Sequence, residues 1–245
     1  MQQFSFSLKN KKRIGAILIA LLVIAFIHHE FMHRVNDHSY ETSLLSEFEG
    51  IYFDQPYPSL VFDEAFIPKN VGQHALIVGP GKSGAQEIIQ QLEKQHGSFN
   101  GKSIRLRGTL YTTNNKTLIE LSQGKDALLA IERSLTYPVQ RTAKKPIELT
   151  GEIVNAKCWL SQQEVREGYY HSRCTKACIK KGIPPLLKVK NEGGNTLYVL
   201  AGLNESAKAD LYDHIAQLVT IKGEVNFQNG WSVLSFAKGN ISPSN

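Results

Sequence analysis

Cys158, Cys174 and Cys178 are the only cysteines of the chain, and all lie in one stretch, CWLSQQEVREGYYHSRCTKAC, which also holds His171. Their order is C-x12-H-x2-C-x3-C. Three thiolates and one imidazole set in a tetrahedron suit Zn(II), and thiolate-rich sets also select Cu(I). If HSRCTKACIKK is helical, His171, Cys174 and Cys178 stand at i, i+3 and i+7 on one narrow face, and Gly182 with Pro184 and Pro185 ends the helix. Cys158 is expected at the end of the preceding strand, closing the set as fourth ligand. Two other readings use the same atoms. One is a disulfide from Cys158 to Cys174 or Cys178 with a spare thiol, and the other is thiol-disulfide redox chemistry at Cys174 and Cys178. Lys157, Arg173, Lys176, Lys180 and Lys181 stand close in sequence and are expected to lower the thiol pKa values.

Other stretches carry motif-like spacing. His29, Glu30 and His33 spell H-E-x-x-H, in which two imidazoles bind zinc and the carboxylate acts as base. The motif follows directly on an apolar run, without a surrounding catalytic domain, so it reads as an interfacial His/Glu cluster. GPGKSG, residues 79–84, opens a helix like a phosphate loop, but the first glycine of G-x4-G-K-[ST] falls on Leu76, and a turn capped by Ser83 is the plainer reading. Trp159, Tyr169, Tyr170 and Trp231 could stack nucleic-acid bases, although the tryptophan at 159 and the tyrosines are expected to pack the loop they sit in.

An internal repeat supplies the elements that hold these residues. SEFEGIYF at 46–53 matches ELTGEIVN at 148–155, with Gly50 on Gly151, and QHALIVG matches TLYVLAG, with Gly79 on Gly202. SIRLRGTLYTTNNKTLIEL at 103–121 lies without a gap on LVTIKGEVNFQNGWSVLSF at 218–236, with Gly108 on Gly223. These blocks alternate apolar and polar residues, as half-buried strands do, and Asn114-Asn115 and Asn229-Gly230 supply hairpin turns. A helical segment, AQEIIQQLEKQ or ESAKADLYDHIAQ, precedes the last hairpin of each copy. Strands, one helix, then a terminal hairpin is the order of an OB barrel, whose tightly bent strands need mid-strand glycine. The fold class expected is mainly β with short helices, an N-terminal membrane helix followed by two tandem OB-like barrels. Copy two is longer by about 22 residues between its first and third strands, and every cysteine lies there. Since copy one contains no cysteine, this Cys/His insertion, 155–187, is expected to be an addition to the fold and not its foundation.

Lys9, Lys11, Lys12 and Arg13 precede the apolar run 14–27, the pattern of a signal anchor with its basic flank in the cytoplasm; a cleaved signal peptide is the alternative, favoured by the short run but not by the lack of a small-x-small site after it. The organisation expected is a flank and anchor over 1–33, a polar stalk over 34–45, repeat one over 46–137, a linker over 138–145 and repeat two over 146–242. The anchor implies a single-pass protein of the inner (cytoplasmic) membrane with an extracytoplasmic, periplasmic C-terminal part. The formal net charge of +6 is spread over the chain and reads as a solvated basic surface, with no nucleic-acid partner expected.

GEIVNAKCWL followed by HSRCTKACIKKGIPPLL resembles a Cys/His segment of exported or membrane-anchored bacterial OB-type proteins over roughly 155–240, a resemblance that implies no particular activity. An anchor followed by an OB barrel is similar to the haem chaperone of cytochrome c maturation, but the C-terminal NISPSN lacks its haem-binding histidine motif. The functional expectation is a non-enzymatic binding module holding metal through Cys158, His171, Cys174 and Cys178, serving assembly or delivery of a metal cofactor to a client protein. The alternatives are a thiol-disulfide redox protein and a nucleic-acid-binding OB protein.

Overall fold

The computed structural model describes Ile17 and residues 21–23, 39–41, 45–62, 72–113, 115–122, 124–132, 138–162 and 165–244. Repeat one supplies β1 (Ser39–Glu41), β2 (Ser46–Phe53), β3 (Ser59–Phe62), β4 (His74–Val78), α1 (Gln86–His96), β5 (Ser103–Thr113), β6 (Lys116–Leu121) and β7 (Leu128–Glu132). Repeat two supplies β8 (Lys145–Asn155), α2 (Ala156–Leu160), α3 (Ser172–Lys180), β9 (Pro185–Asn191), β10 (Gly194–Leu200), α4 (Glu205–Asp213), β11 (Leu218–Gln228), β12 (Trp231–Ser235) and β13 (Ile241–Pro243).

The result is a mainly β chain with short helices and two closed five-strand barrels in tandem. In the first, β2, β3 and β4 form an antiparallel meander, β4 pairs in parallel with β6, and β6 returns through β5 to β2. The second repeats this circuit strand for strand, from β8 through β9, β10, β12 and β11 back to β8. Each matched sequence block becomes the matched strand, and each helical segment bridges the third and fourth strands of its barrel. The third and fourth strands of each barrel are not hydrogen-bonded neighbours, so no tight hairpin turn can join them and the helix crosses the gap. The expected hairpin geometry holds as well: Asn115 (φ 58°) and Asn229 (φ 43°) with Gly230 (φ 81°) take the left-handed conformation. A Cβ on Gly50 or on its counterpart Gly151 would run into a carbonyl of the paired strand, Val61 and Lys188 respectively, so the strand bend requires glycine.

Two details of the sequence reading change. α1 starts from Ala85 with no side-chain cap, and the Ser83 hydroxyl instead donates to the Pro80 carbonyl at 2.8 Å. Ser39–Glu41, inside the polar 34–45 segment, pairs antiparallel with β5 as β1.

The membrane expectation is corrected. Among the described residues no helix is long and apolar enough to cross a membrane, which overturns the single-pass inner-membrane, periplasmic placement. Of the apolar run only Ile17 and residues 21–23 are described, and they are helical; the H-E-x-x-H residues His29, Glu30 and His33 lie outside the described residues.

Three buried clusters organise the packing. One fills the first barrel under α1, with Phe48, Leu60, Ile89, Leu92 and Leu106 among its members. Another fills the second barrel under α4, with Ile153, Leu187, Val219, Leu211 and also Ile179 of α3. The third belongs to neither barrel alone: Leu76, Val78 and Leu118 of the first meet Val199, Trp231 and Val233 of the second, with Trp159, Leu160, Cys178 and Ile183 of the insertion wedged between them.

Polar contacts fasten the wedge. The Lys157 ammonium pairs with Glu120 at 2.6 Å, side chains only 14% and 20% exposed, and also donates to the Gly81 carbonyl, while the Gly81 N–H donates to Glu120 at 3.0 Å. Thr113 donates to the Leu160 carbonyl at 3.0 Å, and Gly84 N–H donates to the Lys181 carbonyl at 2.8 Å. The insertion is therefore not an addition to a finished fold; it is the material that joins the two barrels.

Both tryptophans of the chain, Trp159 and Trp231, sit in this third cluster, so indole fluorescence reports the seam while far-ultraviolet circular dichroism reports the barrels. Urea unfolding followed by the two signals is expected to give one coincident transition. Trp159→Ala should lower stability by about 3–5 kcal/mol in both signals together, the cost of removing a buried indole. A dichroism midpoint left in place would contradict the role given to the wedge.

Candidate metal centre

The site begins where β8 ends. Asn155 is fully buried and N-caps α2, its side-chain oxygen accepting the Cys158 N–H at 2.8 Å. This cap turns the chain sharply, so Cys158 lies in a one-turn helix and not at the strand end expected from the sequence. The same Asn155 amide donates to Thr175 of α3 at 3.4 Å and so ties the two cysteine-bearing helices together.

His171 is placed by a separate network. Lys188 of β9 lies beside Glu152 of β8 at 3.3 Å and against Glu167, and Glu152 accepts the Gly168 N–H at 2.6 Å. Gly168 has φ 77°, a conformation glycine adopts freely, and it starts the 3-10 turn Tyr169–His171. His171 thus precedes α3 as its N-cap residue, where the sequence reading placed it inside a continuous helix. The expected helix stop is present: Gly182, at φ 89°, follows α3 directly.

The outcome is a compact donor set. The ligand atoms of Cys158, His171 and Cys174 all lie within 4.8 Å of one another, close enough to hold a metal ion. Cys178 falls outside this trio, although its Sγ is 4.0 Å from that of Cys174, and it is buried in the seam cluster. His171 is 9% exposed, and its Nε2 is buried with no hydrogen-bond partner in the protein. An imidazole nitrogen left in that state is costly unless a ligand satisfies it.

The thiols are strongly polarised. Cys158 is held down to about 5, first by a hydrogen bond from Cys178 and then by bonds from Asn155 and His171, which together outweigh its burial. Cys178 moves up, because it is the donor to the Cys158 sulfur and is itself desolvated. The surrounding lysines do not supply this effect as the sequence reading expected. Lys157 is taken up by Glu120, Lys176 reaches Asp213 at 3.8 Å, and Lys180 sits 5.4 Å from the Tyr212 ring.

Aromatic placement follows expectation for Trp159, which packs within the insertion, and departs from it for the tyrosines. Trp159 is buried between the guanidinium of Arg166 and the ammonium of Lys188, at 4.5 and 4.9 Å from its ring, and Trp231 is buried under Lys116 at 4.7 Å. Neither indole offers a free stacking face. Tyr169 and Tyr170 do not pack the loop; they are 83% and 95% exposed beside His171. The sequence reading missed Asn155, Thr175, Glu152 and Lys188. Only Asn155 carried a signal, as a capping residue directly before the AKCWL turn.

A group whose pKa is depressed keeps its charged form as pH falls. Alkylation of Cys158 by iodoacetamide in a Cys174→Ser background is therefore expected to stay near its plateau down to about pH 6 and to fall with a midpoint at about 5. Adding Cys178→Ala removes the leading donor and should move that midpoint up toward the ordinary thiol value of 9.0. A midpoint indifferent to Cys178 would remove the hydrogen bond as the cause. Comparison with protein-family models, curated proteins and solved structures finds no match to this chain, so its chemistry rests on its own residues.

Proposed function

We propose that the chain is a metal-binding module of two OB-like barrels that holds one Zn(II) or Cu(I) ion through Cys158, His171 and Cys174, with Cys178 as fourth ligand, in the assembly or delivery of a metal cofactor to a client protein. One observation carries this reading: a ring nitrogen of the buried His171 stands within 4.8 Å of the Cys158 and Cys174 sulfurs, which lie as close to each other. An imidazole nitrogen and soft sulfur donors at that spacing form the set that Zn(II) and Cu(I) prefer. The 4.0 Å between Cys174 and Cys178 is close to the edge of a tetrahedron with Zn–S bonds of about 2.3 Å, which supports a fourth thiolate after a small shift. Metal binding would draw the proton from Cys178 and dissolve its hydrogen bond to Cys158, so affinity rises with pH. The OB assignment is supported by the closed circuit with its parallel third and fifth strands and the helix before the fourth.

A second reading, thiol-disulfide exchange, is supported by the closeness of the three thiols, which lowers the pKa of Cys158 beside Cys178. The pair expected from sequence, Cys174 and Cys178, suits it less well, since both lie on one regular helix, where a disulfide closes poorly.

Titration of the reduced chain with Co(II) is expected to give one ion per chain with intense sulfur-to-metal charge-transfer absorption. His171→Ala and Cys174→Ser should each weaken binding by more than about a hundredfold, while Asn155→Ala, which only orients ligands, should cost about 10–100-fold. Stripping metal with a chelator should lower the single unfolding transition of both barrels, because the ligands lie on the wedge. Recovery of the chain with a formed disulfide and no affinity for Co(II) or Cu(I) would favour the second reading.

A further inference from the structure

A cavity of about 390 Å³ opens on the seam at the C-terminal end of α3, where Ile179 and Lys180 line it and the preceding Cys178 does not. It is built from both barrels: Tyr57 comes from the β2–β3 turn, Leu203 follows β10, and Leu211 and Tyr212 come from α4. The Tyr57 hydroxyl donates to the Leu200 carbonyl at 3.2 Å and fixes that wall. Its volume lies at the lower end of small-molecule pockets, with room for one or two fused rings. Among the described residues, the charged ones that line it are Lys180 and Lys208, and none is acidic. Lys180 sits 5.4 Å from the Tyr212 ring, while Lys208 pairs at 2.7 Å with Glu205, whose side chain is 90% exposed. A solvated pair of that kind holds its lysine weakly, so both ammonium groups are available to an incoming anion. None of Cys158, His171, Cys174 or Cys178 lines the cavity.

We infer that this cavity binds a small organic anion with a flat apolar body, an arylcarboxylate in class. The ring lies against Tyr57, Leu203, Leu211 and Tyr212, and the carboxylate reaches Lys180 and Lys208. Apolar walls with a few convergent polar groups are the general make-up of such sites, and the two cations select against neutral and cationic ligands. The inference is independent of whether metal occupies the cysteine site.

The test uses the full chain with two probes of equal shape, 1-naphthoate and 1-naphthalenemethanol, each titrated by calorimetry and by amide shifts in 1H–15N spectra. Naphthoate is expected to bind saturably with one molecule per chain, to shift the amides of Gly202, Leu203 and Tyr212, and to bind at least about tenfold more tightly than the alcohol. Lys180→Gln with Lys208→Gln should bring naphthoate down to the affinity of the alcohol without moving the alcohol. Equal affinities of the two probes in the native chain, shifts confined to other regions, or no saturation at about 5 mM would overturn the proposal. The comparison of acid with alcohol needs no variant, so a double variant that failed to fold would leave the test decisive.

Discussion

The two barrels are held together by a core that neither could form by itself. Leu76, Val78 and Leu118 point outward from the first barrel, on strands whose opposite face already fills that barrel's interior. In an isolated barrel they would be an apolar patch in water; here Trp159, Leu160 and Ile183 of the insertion cover them. The ion pair of Lys157 with Glu120 sets the register of that contact, because its partners lie on opposite sides of the seam and each also engages the backbone at Gly81. Removing one of these groups would strand the other at low exposure, which is far more costly than losing an exposed pair.

The cysteine and histidine donors inherit their geometry from this arrangement. α2 carries Cys158, and its neighbours Lys157 and Leu160 are fastened to the first barrel. α3 carries Cys174 and Cys178, and its end is fastened at Gly84. Asn155 and Thr175 link the two helices inside. A donor set mounted on rigid elements that are themselves anchored at several points keeps its spacing without an ion, which is the meaning of preorganisation at a metal site. The polarised thiols follow from the same closeness: Cys178 is buried in the seam with the Cys158 and Cys174 sulfurs as its neighbours.

Much of the fold was legible in the sequence because a repeat tests itself. An alternation seen once is ambiguous, but Gly50 on Gly151, together with a gapless third block, identifies strands that must bend the same way, and backbone crowding at those glycines bears this out. Three of the four donors expected from residue type and clustering, Cys158, His171 and Cys174, come together, while Cys178 stays outside the trio. What escaped was set by contacts distant in sequence. No local pattern says that Lys157 will meet Glu120 or that Lys188 will meet Glu152. The strand-end position of Cys158 failed because capping by Asn155 outcompetes strand continuation, and the continuous helix failed because Gly168 begins a tighter turn before His171. The reading of the insertion as an accessory failed because repeat comparison reveals what is extra, not what the extra part touches.

The wedge also fixes an order of events while the chain is being made. The first barrel is complete once β7 has left the ribosome, but the residues that cover Leu76, Val78 and Leu118 begin at Trp159 and end at Val233. At about 5–20 residues per second, those apolar side chains wait several seconds for their cover. Over that interval the nascent first barrel presents this apolar face to water. Placing the insertion in the later copy therefore leaves the outward face of the first barrel uncovered until the second copy has been made.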